Sequence, residues 1–490
     1  MRTAVRYAFA VLSLILLGAQ ACRTSEPPDQ VATLTQAERL AALEQAVPTL
    51  MDSGGVPGLA MAIVKDTAVA WSRGFGVRSL DTNEPVNENT VFEAASLSKP
   101  VFAYAVLQLA DQGLIDLDTP ISEYYDYDDI AHDERAKKIT PRMVLCHSPG
   151  FPNWRPRGGE LTIDFEPGSK FSYSGEGFVY LQMAVMDLTD RTLQEFVAER
   201  VFEPLGMTSS SYIWDDRFEA SVAMPHDGDG AVGSKNRPRA GRGNAAATLH
   251  TTAPDFARFI HAAMQGALLS DSLAAAYLTP QVEVDTGVTW GLGIGLQENE
   301  HGIGFWHWGD NTGYKAYTLT YPERGVGVVW FTNSENGQTI LEGLLDEIVG
   351  GEHPAADWLG YEQYNSPTRL TRESLWRTIE AQGVAAAIDR YYEMKKTSPP
   401  EAFNEFVLNS LGYFLLGDER FDEAIEIFKL NVDQYPDAWN PYDSLGEAYM
   451  KAGKLEVAIV YYEKSLELNP DNTNGRAMLE RIKERLRAGG

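Results

Sequence analysis

The chain has 490 residues, enough for two or three domains each with its own core, and its 44% hydrophobic and 22% charged content is that of an ordinary globular protein. A balance of 69 acidic against 41 basic side chains, net −28, argues against nucleic-acid binding through phosphate neutralisation. Two cysteines cannot make a disulfide scaffold, and neither an H-E-x-x-H nor a G-x-S-x-G phrase occurs, which argues against a zinc protease or an α/β-hydrolase.

Arg2 and Arg6 precede an apolar run, Ala8 to Leu17, followed by Gly18-Ala19-Gln20-Ala21-Cys22. A basic start, a short apolar core and small residues make an export signal too short to span a membrane. Ala19 and Ala21 satisfy an A-x-A cleavage site. The same junction resembles a bacterial lipobox, although Ala19 stands where leucine is commoner. Cys22 is then either the lipidated first residue of a periplasmic or outer-membrane lipoprotein or a free thiol on a protein soluble outside the cytoplasm. Residues 1–21 read as signal peptide and 22–33 as a tether, with Pro27 and Pro28.

Thr35 with Glu38 makes a capping-box start, and Leu40, Leu43 and Val47 give a helical face that Val56-Pro57-Gly58 ends. Leu59–Lys65 and Ala68–Phe75 read as two strands of a hairpin around Asp66-Thr67.

Phe92–Gly113 is the centre of the chain. It holds Ser96-Leu97-Ser98-Lys99, the only S-x-x-K, at the start of a helix whose stripe is Val101, Phe102, Ala105, Val106 and Leu109 and whose stop is Gly113. Three residues are nearly one helical turn, so Ser96 and Lys99 project from one face and a lysine amine can meet a serine hydroxyl. A serine nucleophile needs such a base, and a lysine serves when burial disfavours its charge. The alternative at this point is a serine that merely caps the helix and a lysine that faces solvent.

Thr140–His147 reads as a helix started by Thr140-Pro141, and Phe178–Leu188 as another. Trp290–Leu296, Phe305–Trp308, Tyr314–Tyr321 and Val326–Thr332 have strand character, with Pro322–Gly325 as the last turn. Strands at both ends and helices between predict an antiparallel sheet flanked by helices, with a helical insertion.

Six phrases in order, Val56-Pro57-Gly58, Ser96–Lys99, Leu145–Gly150, Pro204–Met207, Leu249–Ala253 and His307-Trp308-Gly309, give Val47–Val349 a resemblance to the serine β-lactamase-like and penicillin-binding superfamily. The branch it most resembles holds class C β-lactamases, D-aminopeptidases and esterases. The resemblance implies an α+β fold: a five-stranded antiparallel sheet sandwiched by helices, with an all-helical subdomain across the cleft. It implies Ser96 as acylated nucleophile and Lys99 as its basic partner. Tyr173 stands for the tyrosine of the family's Y-x-N element, as the proton shuttle, but Gly175 replaces the asparagine that in β-lactamases contacts the substrate's amide side chain. His307 heads an H-x-G in place of K-T-G, able to donate to substrate or tune Tyr173 without a permanent charge.

The backbone N–H groups of Ser96 and Asp310 would form the oxyanion hole, and Gly309 would let substrate approach the strand. Trp306 and Trp308 alternate with His307 and are expected to face away from it. Trp154 and Gly291–Gly295 are expected at the mouth. His147 reads as a structural hydrogen-bonder and Cys146 as a buried, inert thiol. No metal or organic cofactor is needed by this chemistry.

From Thr371 the character turns purely helical, and two segments align at a period of 34 residues: Leu411-Gly412 with Leu445-Gly446, Ala424 with Ala458, Phe428 with Tyr462, Pro436 with Pro470. This is the tetratricopeptide signature, with Val384–Pro399 as a degenerate earlier repeat and Asn472–Arg487 as the capping helix. The domains expected are therefore 34–350 for the hydrolase, 351–370 for a linker and 371–490 for an all-α repeat region that docks a protein partner or packs within the molecule. The function expected is an exported serine hydrolase acting through an acyl-enzyme on an ester or peptide-like amide. Its rivals are a β-lactamase or D,D-peptidase, and a non-catalytic ligand-binding scaffold or receptor. Partners expected are a small-molecule or peptide substrate, no nucleic acid, and a membrane if Cys22 is lipidated.

Overall fold

The computed structural model describes residues 36–66, 68–234 and 242–489. The expected export signal, Cys22, the tether and Thr35 lie outside the described residues. Helix α1 (Gln36–Gly54) begins in a separate small unit that ends at Glu44, and the chain from Gln45 onward is one compact unit.

That unit is built on an antiparallel sheet. Strand β1 (Gly58–Lys65) is covered on both faces, which is why it reads as an unbroken apolar run, and its hairpin partner β2 (Ala68–Gly76) is the half-exposed edge. A two-residue ladder joins β3 (Phe92–Glu93) to β4 (His250–Thr251). The described residues between those two strands form helices and turns, among them α2 (Ser98–Asp111), α3 (Pro141–Leu145) and α4 (Gly175–Thr189). The chain then returns through β5 (Val282–Asp285), β6 (Val288–Trp290), β7 (Gly295–Asn299), β8 (Gly302–Asn311), β9 (Tyr314–Tyr321) and β10 (Val326–Thr332). The strand order is β2-β1-β10-β9-β8-β7-β6-β5. The sheet therefore has eight strands rather than the five expected, because three short strands continue it beyond β8. Gly287 and Gly302, both at positive φ, make the turns that allow this.

Trp290–Leu296 is accordingly two strands and a break. Gly293 sits at φ +93°, and a methyl there would lie 2.2 Å from Ala103 Cβ of α2. Gly291–Gly295 are all buried against the central helix and Trp306, so they pack the sheet and do not line the mouth.

Helix α2 exceeds its predicted stripe. Every residue from Val101 to Leu107 is fully buried, so the helix is enclosed on all sides rather than on one. Each large apolar side chain buried in this way contributes about 1.5–3 kcal/mol relative to exposure, which fixes the helix start firmly. Helix α4 begins at Gly175, three residues before the predicted Phe178, because Ser174 caps it by accepting from the Gly177 N–H at 3.0 Å.

The tail is a stack of antiparallel helices: Pro367–Gln382, Val384–Thr397, Glu405–Gly417, Phe421–Gln434, Trp439–Lys451, Leu455–Leu468 and Thr473–Gly489. The 34-residue pattern has a direct steric cause. Gly412 faces the Phe428 ring at 2.4 Å and Gly446 the Tyr462 ring at 3.1 Å from where a Cβ would stand. The stretch before the stack is not a free tether. Trp358 packs on Trp306 and Trp308 with ring centroids 5.9 and 5.8 Å apart. The Tyr361 hydroxyl donates to Asp310 Oδ2 at 2.6 Å, and the Glu342 N–H donates to Gln363 Oε1 at 3.1 Å.

Candidate active site

Residues Ala95–Leu97 form a single 3-10 turn that leads into α2, and Ala95 is held at φ +50°, a conformation that non-glycine residues adopt at a cost. This turn lifts Ser96 out: of Val91–Pro100 it is the one residue not fully buried. Ser96 does not cap the helix, since the capping position falls on Leu97 and carries no side-chain bond. The alternative of a solvent-facing lysine also fails. Lys99 is 0% exposed, and its Nζ donates to Ser96 Oγ at 3.0 Å and to the Ala246 carbonyl at 2.9 Å. Burial drives its pKa well below the ordinary value, towards the neutral amine. The rings of Tyr173 and Phe178 lie 4.6 and 5.8 Å from the amine, close enough to shield it from water.

The second and third motifs converge on the same point. The Tyr173 hydroxyl is buried and within hydrogen-bond geometry of no protein group. Burial raises its pKa above the phenol range, while the nearby Ser96 hydroxyl works in the opposite direction. The two hydroxyls thus influence each other without being hydrogen-bonded. His307 is fully buried on β8, with its ring centroid 6.1 Å from that of Tyr173. Its Nδ1 lies 2.7 Å from the Trp308 carbonyl and must donate to it, so Nε2 is left as a bare acceptor with no protein partner. Burial, then the Lys99 charge, hold its pKa at about 3, against the opposing effect of the Trp308 carbonyl. The imidazole is neutral at physiological pH.

His147 has a supporting place. Its Nδ1 accepts the Ser174 N–H at 3.0 Å, which fixes the tautomer, and its ring lies 4.2 Å from that of Tyr173. Cys146 is buried and its thiol is pushed up by burial, as expected of an inert cysteine. Trp306 and Trp308 do share the far side of β8, stacked 5.9 Å apart, but Trp308 also turns its ring to within 4.6 Å of Tyr173. The expectation that both simply face away is therefore corrected for Trp308, whose ring approaches the tyrosine. Gly309 serves a contact that the sequence did not reveal. A methyl there would lie 2.5 Å from the Ala94 carbonyl, so the glycine lets β8 close against the serine turn. Asp310 follows it, its carboxylate held by Lys315 Nζ at 2.7 Å and by Tyr361.

Trp154 is 46% exposed and lies over Gly175. With Asn244, Ala247, Asn311 and Thr312 it lines a cavity of about 610 Å³. Ser96 does not line it, but two of its lining residues adjoin the site in the chain: Ala247 follows the residue whose carbonyl holds Lys99, and Asn311 ends the strand of His307. Among the described residues no cluster of His, Cys, Asp and Glu is disposed to hold a metal ion. A hydroxyl, an amine whose charge burial disfavours, a phenol and an imidazole acceptor on one cleft can exchange a proton.

These pKa shifts set a pH dependence. The unfolded chain protonates His307 below about 6.5 but the native protein does so only near 3, so stability is lost as pH falls through that window. His307→Gln is expected to make the acid limb shallower by up to about 1.4 kcal/mol per pH unit, measured by urea unfolding at a series of pH values. An unchanged slope would mean that the imidazole is not held neutral.

Comparisons with known proteins bear on the fold and its domains. The beta-lactamase family model matches residues 43–347, more than half of the chain, and the tetratricopeptide repeat model matches residues 439–472. Penicillin-binding protein 4 of Amycolatopsis lactamdurans is 26% identical over 335 residues, covering 60% of this chain and 85% of that protein. Protein flp of Staphylococcus aureus (strain MRSA252) is 21% identical over 333 residues, covering 62% of this chain and 66% of its own length. A beta-lactamase/D-alanine carboxypeptidase from Pseudomonas syringae superposes with a TM-score of 0.57 at 18% identity, over 64% of this chain and 99% of that one. At that identity the likeness speaks for the fold alone.

Proposed function

The chain belongs to the beta-lactamase family, and from that premise we propose that it is an exported serine hydrolase that takes the acyl group of an ester or peptide-like amide onto Ser96. The observation that carries the reading is the 3.0 Å approach of a fully buried lysine, its pKa driven down by burial, to the Ser96 hydroxyl. Within that separation the amine, in the neutral form that burial favours, can take the Ser96 proton as Oγ bonds to the substrate carbonyl carbon. The proton then passes by way of Tyr173 to the leaving alcohol or amine, and the bond between carbonyl carbon and leaving group breaks. Water enters by the reverse route, releases the acid and restores Ser96. The carbonyl oxygen is held meanwhile by the N–H groups of Ser96 and Asp310.

Gly175 in place of an amide, and a neutral His307 in place of a cation, favour esters and D-residue peptides over β-lactams. The export signal at 1–21, with Cys22 as the point of lipid attachment, belongs to the same proposal and would place the enzyme in the periplasm or on the outer membrane. The repeats serve docking. Their first helix already touches the hydrolase, Arg369 Nη2 donating to the Gly54 carbonyl at 3.4 Å, while Phe406 and Phe414 stay exposed for a protein partner.

Fluorophosphonate labelling of the full chain, with Ser96→Ala as control, tests the enzyme reading. Labelling that depends on Ser96 is expected, and none would leave a ligand-binding scaffold. A panel of aryl esters, D-amino amides and nitrocefin tests the substrate class. Nitrocefin turnover equal to that of the esters would make the protein a β-lactamase instead.

A further inference from the structure

We propose that Trp154 is the specificity-determining residue of the cleft: its indole fills the space into which a side chain at position 175 would project, and makes that side of the cavity an apolar wall for an alkyl or aryl acyl chain in place of an amide-bearing one. This rests on the hydrolase reading above. A methyl built on Gly175 would stand 2.6 Å from Cη2 and Cζ2 of Trp154 and 2.9 Å from Cε2. These are ring atoms of a rigid side chain, so the indole and any side chain at 175 exclude each other. The loss of the asparagine and the presence of the tryptophan are two sides of one substitution.

The indole is held in place from both sides. Before it, the Asn153 carbonyl accepts the N–H groups of Gly175 and Glu176 at 3.0 and 3.1 Å, and Asn153 Oδ1 also accepts the Gly175 N–H at 3.0 Å. The Ser174 hydroxyl donates to the Pro152 carbonyl at 2.9 Å. After it, Arg155 forks onto Glu176, Nε to Oε1 at 3.0 Å and Nη2 to Oε2 at 2.8 Å, and reaches Asp129 at 2.6 Å. A segment bonded this densely to the start of α4 keeps its shape as ligands come and go. Yet the ring it presents is nearly half exposed and faces the cavity, beside Asn311 and Ala247. Tyr173, the proposed proton shuttle, lies two residues before the glycine that the ring covers, which ties the wall to the catalytic segment. An aromatic face offers apolar contact and no hydrogen bond to an amide, which would surrender its water on entering.

The experiment compares two esters with the same leaving group, a butyryl ester and an N-acetylglycyl ester, on the full chain. Wild type is expected to favour the butyryl ester by about tenfold or more in kcat/KM, the worth of a good apolar contact. Trp154→Gly is expected to cut that ratio about tenfold, and Trp154→Phe to hold it within about twofold. The double variant Trp154→Gly with Gly175→Asn is expected to invert the preference, whereas Gly175→Asn alone displaces the ring and lowers turnover of both. A Trp154→Gly variant that slows both esters equally overturns the proposal and leaves the residue a structural one. Binding of the two uncleaved esters to the Ser96→Ala protein by calorimetry separates the two readings. Selective binding abolished by Trp154→Gly, without turnover in wild type, would defeat the hydrolase reading and keep this one, and equal binding with and without the indole would defeat this one.

Discussion

Lys99→Met is expected to slow acylation by about 10³-fold, within the range that a positioned acid–base group supplies, and at the same time to raise the unfolding midpoint near neutral pH. The two effects have one origin. The amine is fully buried, so folding at pH 7 requires either shedding its proton or carrying a desolvated charge, and both oppose folding. Methionine has similar length, needs no water, and would meet the Tyr173 and Phe178 rings that now face the amine at 4.6 and 5.8 Å. The lost bond to the Ala246 carbonyl offsets part of the gain. The sign with pH is fixed. Because the native pKa lies below the unfolded value of 10.5, wild type gains stability as pH rises towards 10.5, so the advantage of the variant must fade over that range. Thermal unfolding at pH 7 and pH 10 reads this directly, and an advantage that grows with pH would show that the lysine is charged in the fold. Such a trade between stability and reactivity is the usual mark of a group kept for chemistry.

Gly309→Ala is expected to cost about 3 kcal/mol of stability and to lower turnover roughly 10²-fold, although the residue offers no reactive group. The added methyl would stand 2.5 Å from the Ala94 carbonyl, 3.1 Å from Ala316 Cβ and 3.2 Å from Ala95 Cβ. Backbone on one side and a paired strand on the other leave no flexible neighbour to yield, so the serine turn itself must move. That turn already holds Ala95 at φ +50°, and displacement there misaligns Ser96 against Lys99. Gly417→Ala is the control. Nothing lies within 4 Å of a methyl at that helix end, and the change should be under about 1 kcal/mol. Urea unfolding and ester kinetics on both variants decide the matter; equal behaviour of the two would remove the steric account of the H-x-G glycine.

What was legible in the sequence follows from the range of each interaction. Ser96 and Lys99 lie within a single turn, so their spacing allows the 3.0 Å contact, although spacing alone left a capping serine and a solvent-facing lysine as the alternative. The glycine–aromatic packing of the repeats was legible because it recurs, Gly412 with Phe428 and Gly446 with Tyr462. Tyr173 and His307 could be joined to the serine only through resemblance, since no periodicity links residues so far apart in the chain. The departures share a cause. Gly291–Gly295 look like a loop for ligands, but their missing side chains make room for Ala103 and Trp306 from distant segments. The replacement at Gly175 was visible and the ring that fills the vacancy was not, because only the bonds of Asn153 and Arg155 to α4 bring Trp154 there. Nor does strand alternation foretell Trp308, whose ring comes within 4.6 Å of that of Tyr173.

The stretch joining the two halves carries a practical consequence for anyone dissecting the gene. A stop codon placed near residue 350 would remove Trp358 from beneath the paired indoles of β8, and the phenol of Tyr361 from Asp310, beside the proposed oxyanion site. A catalytic fragment trimmed there would therefore be crippled by its own cut edge, and a truncation meant to ask what the repeats contribute should end no earlier than Ser366, where the next helix takes its cap.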